Sequence, residues 1–130
     1  MTGHNLAFVI YNLVKEEQMN SVREVLEYFP ETIREEIEKC ENIYDKLEEI
    51  RFRTNRNIIL RIGKEEKKIN YIVTTKEILE ILQRICDNSI YTYQSQICSG
   101  YITIKGGHRV RHIRQCSSKR WAGYKYIIHI

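Results

Sequence analysis

The chain has 130 residues, 42% of them hydrophobic and 29% charged, which fits one globular domain and excludes a disordered chain or two ordinary cores. Its longest apolar stretch, Leu6 to Val14, is broken by Asn12 and falls far short of the roughly 20 residues of a membrane helix. The net charge of +4 is unevenly placed: residues 111–130 carry five basic groups and no acid, leaving 16 basic against 17 acidic side chains in residues 1–110.

That distribution makes the charge weak evidence for a nucleic-acid-binding face. No basic n-region with a small-residue cleavage site argues for export. The four cysteines, Cys40, Cys86, Cys98 and Cys116, form no C-x-x-C pair, so reduced thiols in a cytoplasmic chain are expected.

Residues 1–19 are poorly patterned. From Ser21, Ser-Val-Arg-Glu reads as a capping box in which Ser21 and Glu24 satisfy each other's backbone donors. Val22, Val25, Leu26 and Phe29 then follow at i, i+3, i+4 and i+7 as one helical stripe. Pro30 stops this helix and suits the first turn of the next. Glu31 complements the second helix's dipole, with Ile33, Ile37 and Cys40 on its buried face.

After Leu47 the period changes to two. Ile50, Phe52 and Thr54 alternate with Arg51 and Arg53, which predicts a half-buried strand with arginines on its far face. Asn55-Arg56-Asn57 turns into a second strand at Ile58–Ile62. Gly63 to Glu66 turns again, and Ile69–Val73 forms a third. A second capping box, Thr74-x-x-Glu77, opens a helix that buries Ile78, Leu79, Ile81, Leu82 and Ile85.

Ile90 to Ser99 reads as a short helix closed by Gly100. Tyr101 to Ile104, Lys105-Gly106-Gly107 and His108 to Val110 read as a hairpin whose turn needs the positive φ of glycine. Runs of helices and antiparallel strands predict an α+β fold: an antiparallel sheet with helices packed on one face.

Chemistry is sparse. No G-x-x-x-x-G-K-[ST] loop occurs, and Gly106-Gly107 is too short to cradle phosphates. The pairs Glu35/Glu36 and Glu48/Glu49 read as solvated charge and not as an acid–base pair. His108, His112 and Cys116 stand four apart, which would align them on a helix. His108 falls in a strand and the other two in the basic tail, so no metal site and no catalytic residue is assigned. Arg51, Arg53, Arg56, Arg61 and Arg109 gather on or near the strands. They are either a solvated face with snorkelling stems or a face presented to phosphate or to a partner's acids.

Three segments together carry a resemblance: Leu26-Glu-Tyr-Phe-Pro-Glu-Thr-Ile-Arg-Glu35, Leu47-Glu-Glu-Ile-Arg-Phe-Arg53, and Gly100-Tyr-Ile-Thr-Ile-Lys-Gly-Gly-His-Arg-Val110. They resemble the N-terminal part of the stage III sporulation protein AA family of spore-forming Firmicutes. The motif residues are Glu49, Arg51, Arg53, Gly100, Tyr101, Gly106, Gly107, His108 and Arg109.

The family is similar to the hexameric ATPases of type II and type IV secretion systems. The resemblance implies an assembly domain at residues 20–110, like the N-terminal domain of secretion ATPases. That domain would self-associate or pack against ATPase domains that use ATP and Mg. It implies a mother-cell location beside the membrane proteins of the mother cell–forespore channel complex, with no membrane insertion and no nucleic acid. Arg109 would be a phosphate contact in trans, to nucleotide held by a neighbouring subunit. The ATPase domain with its P-loop is absent from this sequence, so the chain itself is expected to bind no cofactor.

A stand-alone adaptor or nucleic-acid-binding module with a basic C-terminal arm is the competing class. Two expectations concern the ends. Lys15-Glu-Glu-Gln18 can be encoded by a purine-rich ribosome-binding sequence before Met19, which makes residues 1–19 a leader or loosely ordered extension. Residues 111–130 are expected to be an aberrant, frameshifted tail. One back-translation, read from its second nucleotide, gives Gly-Ile-Ser-Gly-Asn-Val-Val-Val-Lys-Asp-Gly-Gln, a resumption of the family pattern. As written, the tail should pack poorly and leave the preceding hairpin with an unpaired edge.

Overall fold

The computed structural model describes residues 2–87, 101–104, 106–117 and 120–130. The expected helix at Ile90 to Ser99 and its Gly100 cap lie outside the described residues.

Helix α1 spans Thr2–Leu26, α2 Glu31–Glu38 and α3 Ile43–Lys46. Strands β1 (Leu47–Arg53), β2 (Arg56–Ile62) and β3 (Glu65–Val73) follow, then α4 (Thr75–Asp87). Strands β4 (Tyr101–Thr103), β5 (Arg109–Ser117) and β6 (Arg120–His129) complete a six-stranded sheet in the order β3-β2-β1-β6-β5-β4. Every recorded pairing is antiparallel. The expected α+β architecture is therefore present.

Period-two alternation divides the sheet into two faces. Along one row, register sets Leu60, Ile50, Ile128, Val110 and Ile102 side by side across five strands. All five are buried and belong to the core. The same core takes Val22, Val25, Leu26, Phe29, Ile33, Ile37, Ile78, Ile81 and Ile85 from the helical segments. The helices therefore cover this face, and among the described residues no helix covers the other. Among the described residues no helix is long and apolar enough to cross a membrane.

Short-range signals account for several joints. Thr74 and Glu77 form the expected capping box: the Thr74 backbone N–H donates to Glu77 Oε1 at 3.0 Å and the Glu77 N–H donates to Thr74 Oγ1 at 3.2 Å. Tyr71 also donates to Glu77, tying β3 to the start of α4 and holding its own phenol above the ordinary range. Asn55, at φ 57°, supplies the left-handed residue of the β1–β2 turn.

Three expectations are corrected. Ser21-x-x-Glu24 is not a helix start, because α1 runs unbroken from Thr2. No Gly or Pro separates Asn5 from Ser21, so nothing stops helical propagation before the box. The first half of α1 leaves Leu6, Phe8, Tyr11 and Leu13 exposed. Strand β3 starts at Glu65, four residues before the expected Ile69. In α4, Leu79 is 61% exposed, whereas Ile78, Ile81 and Ile85 are buried and Leu82 packs half-buried against the core.

The expectation that residues 111–130 pack poorly also fails. Strand β6 lies between β1 and β5, and Tyr126, Ile127 and Ile128 are buried. Tyr126 stacks on Phe52 with ring centroids 5.4 Å apart. The Ile130 backbone N–H donates to the Glu48 carbonyl at 2.9 Å. Cations of this segment do not prevent pairing, because alternation carries Arg111 and Lys125 onto the face away from the core, where solvent screens them.

Candidate functional site

On the face without helices, register aligns Glu66, Arg61, Glu49, His129, Arg109 and Thr103 in one row running from β3 to β4. The next row holds Lys68, Ile59, Arg51, Ile127, Arg111 and Tyr101. Arg53 stands opposite Lys125 beyond them. The expected arginine face is thus a single surface spanning the sheet.

Glu49 is the centre of its charge network and is only 15% exposed. Its Oε2 accepts from Arg51 Nε at 3.1 Å and from Arg51 Nη2 at 2.9 Å, a bidentate fork. Arg51 Nη1 also donates to Glu66 at 3.0 Å. Glu49 Oε1 faces His129 Nδ1 at 3.4 Å and Arg61 Nη1 at 3.9 Å. Ion pairs at exposed sites contribute little, roughly 0–1 kcal/mol. The half-buried Glu49–Arg51 fork fixes the orientation of the β1–β3 end, so half the face is compensated charge held in place.

Toward β5 and β6 the face carries exposed Arg109 and Arg111 beside Lys125 and His129, and residues 101–130 contain no acidic side chain. Ile127 is buried here yet stands outside the core cluster, so the face has an apolar centre between its charges.

The Gly-Gly-His-Arg hairpin sets where Arg109 stands. Gly106 and Gly107 adopt φ of 92° and 80°, which other residues rarely adopt. Gly107 N–H donates to the Ile104 carbonyl at 3.1 Å, and Ile104 N–H donates to the His108 carbonyl at 3.0 Å. A Cβ on Gly106 would lie 2.6 Å from Glu24 Oε2 and 2.9 Å from His108 Nε2, so this glycine is required by close approach as well as by φ. His108 is 3% exposed and sits 3.5 Å from Glu24 Oε2, with its Nε2 making no hydrogen bond. Burial of His108 sets the hairpin against the C-terminal part of α1 and leaves Arg109, the next residue, on the open side of the sheet.

Among the described residues no group of three His, Cys, Asp or Glu is placed to hold a metal. The extended backbone of β5 sets His112 and Cys116 roughly 13 Å apart, unlike the helical spacing that would bring them together. Burial and the neighbouring Asp87 push the Cys86 thiol up, away from the thiolate a nucleophile needs. A groove of about 450 Å³, lined in part by Glu17, Tyr44, Glu48, Gly63 and Ile130, lies between α1, α3 and the β2–β3 turn, apart from the motif residues.

Of the motif residues, Glu49, Arg51, Arg53 and Arg109 come together on one face, while Gly106, Gly107 and His108 form the corner beside it. Tyr101 shares the face by register, and Gly100 lies outside the described residues. Sequence reasoning missed Glu24 as the partner of His108 and His129 as a partner of Glu49. Both contacts depend on long-range pairing that no local pattern announces.

The family model for sporulation stage III, protein AA, matches residues 16–119. Stage III sporulation protein AA of Bacillus subtilis (strain 168) is 34% identical over 93 residues, covering 71% of this chain and 29% of that protein. The chain therefore spans less than a third of that relative's length. The family match extends past Val110 and through the whole of β5, beyond the residues at which the motif resemblance ends.

Proposed function

The chain belongs to the sporulation stage III protein AA family, and we propose that it is the N-terminal assembly domain of a sporulation ATPase of that family. The observation that carries this reading is the open sheet face, built of oriented arginines, in a sequence with no P-loop. A domain that presents a prepared, charged surface suits positioning of a partner. The limited share of the relative that the match covers supports a domain's role within a larger protein.

On this reading the domain has the place of the N-terminal domain in secretion ATPases. It positions ATP- and Mg-binding P-loop domains in an oligomer, on the mother-cell side of the channel complex between mother cell and forespore. Arg109 contacts a nucleotide phosphate held by a neighbouring subunit, a geometry in which a guanidinium stabilises transferring phosphoryl charge. Its exposure beside a fastened hairpin supports that role.

The test uses a full-length family member. Changing the arginine that matches Arg109 to alanine should lower ATP turnover by at least about tenfold, with little change in melting temperature, because Arg109 is exposed. Unchanged turnover would remove Arg109 from the mechanism.

A further inference from the structure

Charge is segregated between the two sides of the domain. Residues 2–46, which build α1, α2 and α3, contain ten acidic and five basic side chains. Residues 101–130 contain seven basic and no acidic side chains, and of these Arg109, Arg111 and Lys125 stand on the open sheet face by register. Glu27, Glu31, Glu35 and Glu38, on and beside α2, are exposed. Because Ile33 and Ile37 of α2 enter the core, those acids lie on the helical side, opposite the open sheet face.

We propose that the open sheet face of one copy docks on the acidic α2 side of a second copy, front to back. Arg53, Arg111 and Lys125 meet Glu31, Glu35 and Glu38. Six strands about 4.8 Å apart, from three to ten residues long, give a face of roughly 25 Å on a side. That approaches the about 800 Å² per partner of a standard protein interface. The face also holds Glu49 and Glu66 at its β1–β3 end. Such carboxylates disfavour a polyanion but suit a helical side that includes Arg34 and Lys39.

A contact between two different surfaces of one molecule is heterologous, so it propagates beyond a dimer. The inference rests on the assembly reading for its place in a larger protein. Its test uses this chain alone and no ATP, so its failure leaves the turnover result standing.

Sedimentation velocity of the whole chain decides the matter. In about 50 mM salt the mass should reach at least three times the 15.6 kDa of the chain, and in about 500 mM salt it should fall to one copy, because exposed charges are then screened. The pair Arg111→Glu with Lys125→Glu should be monomeric at both salts, and so should the pair Glu31→Lys with Glu35→Lys. Mixing the two variants restores complementarity at both junctions and should restore the large species. Thermal melts establish that each variant folds; if one pair does not, the other decides alone. A wild-type chain that stays monomeric in low salt, reversed variants that still associate, or a folded mixture that stays monomeric would overturn the proposal. So would a monomeric wild-type chain that binds a fluorescent poly-dT oligonucleotide and loses it on Arg111→Glu with Lys125→Glu, which assigns the face to nucleic acid.

Discussion

Phe52→Ala should lower the free energy of unfolding by about 3–5 kcal/mol, the cost of an emptied aromatic site. Phe52 is buried in β1, packs edge-on to Phe29 at 5.6 Å and stacks on Tyr126 at 5.4 Å. One side chain thus joins the turn after α1, the first strand and the last. The void it leaves opens between a helix-side aromatic and the sheet, where neither backbone can close in. Urea unfolding measures the loss. Leu79→Ala, at a position that is 61% exposed, is the control and should change stability by less than about 1 kcal/mol.

Ile128→Asp should abolish cooperative folding. Ile128 is fully buried and pairs with Ile50 on one side and Val110 on the other. A carboxylate there loses its hydration with no cation in the apolar row to replace it, a cost of several kcal/mol. Domains of this size have only about 5–15 kcal/mol to lose. A thermal melt reads the result. A melting temperature unchanged from wild type would mean that β6 is not part of the sheet and that the β5–β6 half of the open face does not exist.

That strand also shows where sequence reasoning fails. Thr74-x-x-Glu77 was legible because its partners are three residues apart and Tyr71 and Thr74 interrupt any earlier helix. Ser21-x-x-Glu24 has the same letters, yet the residues before it are themselves helix-competent, so the box marks no boundary. Glu24 is used instead by His108, 84 positions later in the chain. Tyr126 and Ile128 alternate correctly for a strand, but a seven-residue signal after a run of cations is weak until Phe52 and Ile50 are set beside it. Leu79 was assigned to the core because a wide apolar stripe does not reveal its own edge. The arginines of β1 were legible as a face. What they face was not, since Glu66 and His129 come from strands at opposite ends of the sheet segment.

The Glu49–Arg51 fork, the fastened Gly-Gly-His-Arg corner and the segregated charge belong to one design. Each fixes the position of a surface that has no substrate of its own among the described residues. The account stands on that surface being used to assemble a larger enzyme. Its most direct test takes a full-length family member, measures its ATP turnover, and adds this chain in increasing excess. A chain that occupies the same contacts should depress turnover in proportion to its excess, and Arg111→Glu with Lys125→Glu should remove the effect. Turnover that does not change at any excess of the folded chain would contradict the account.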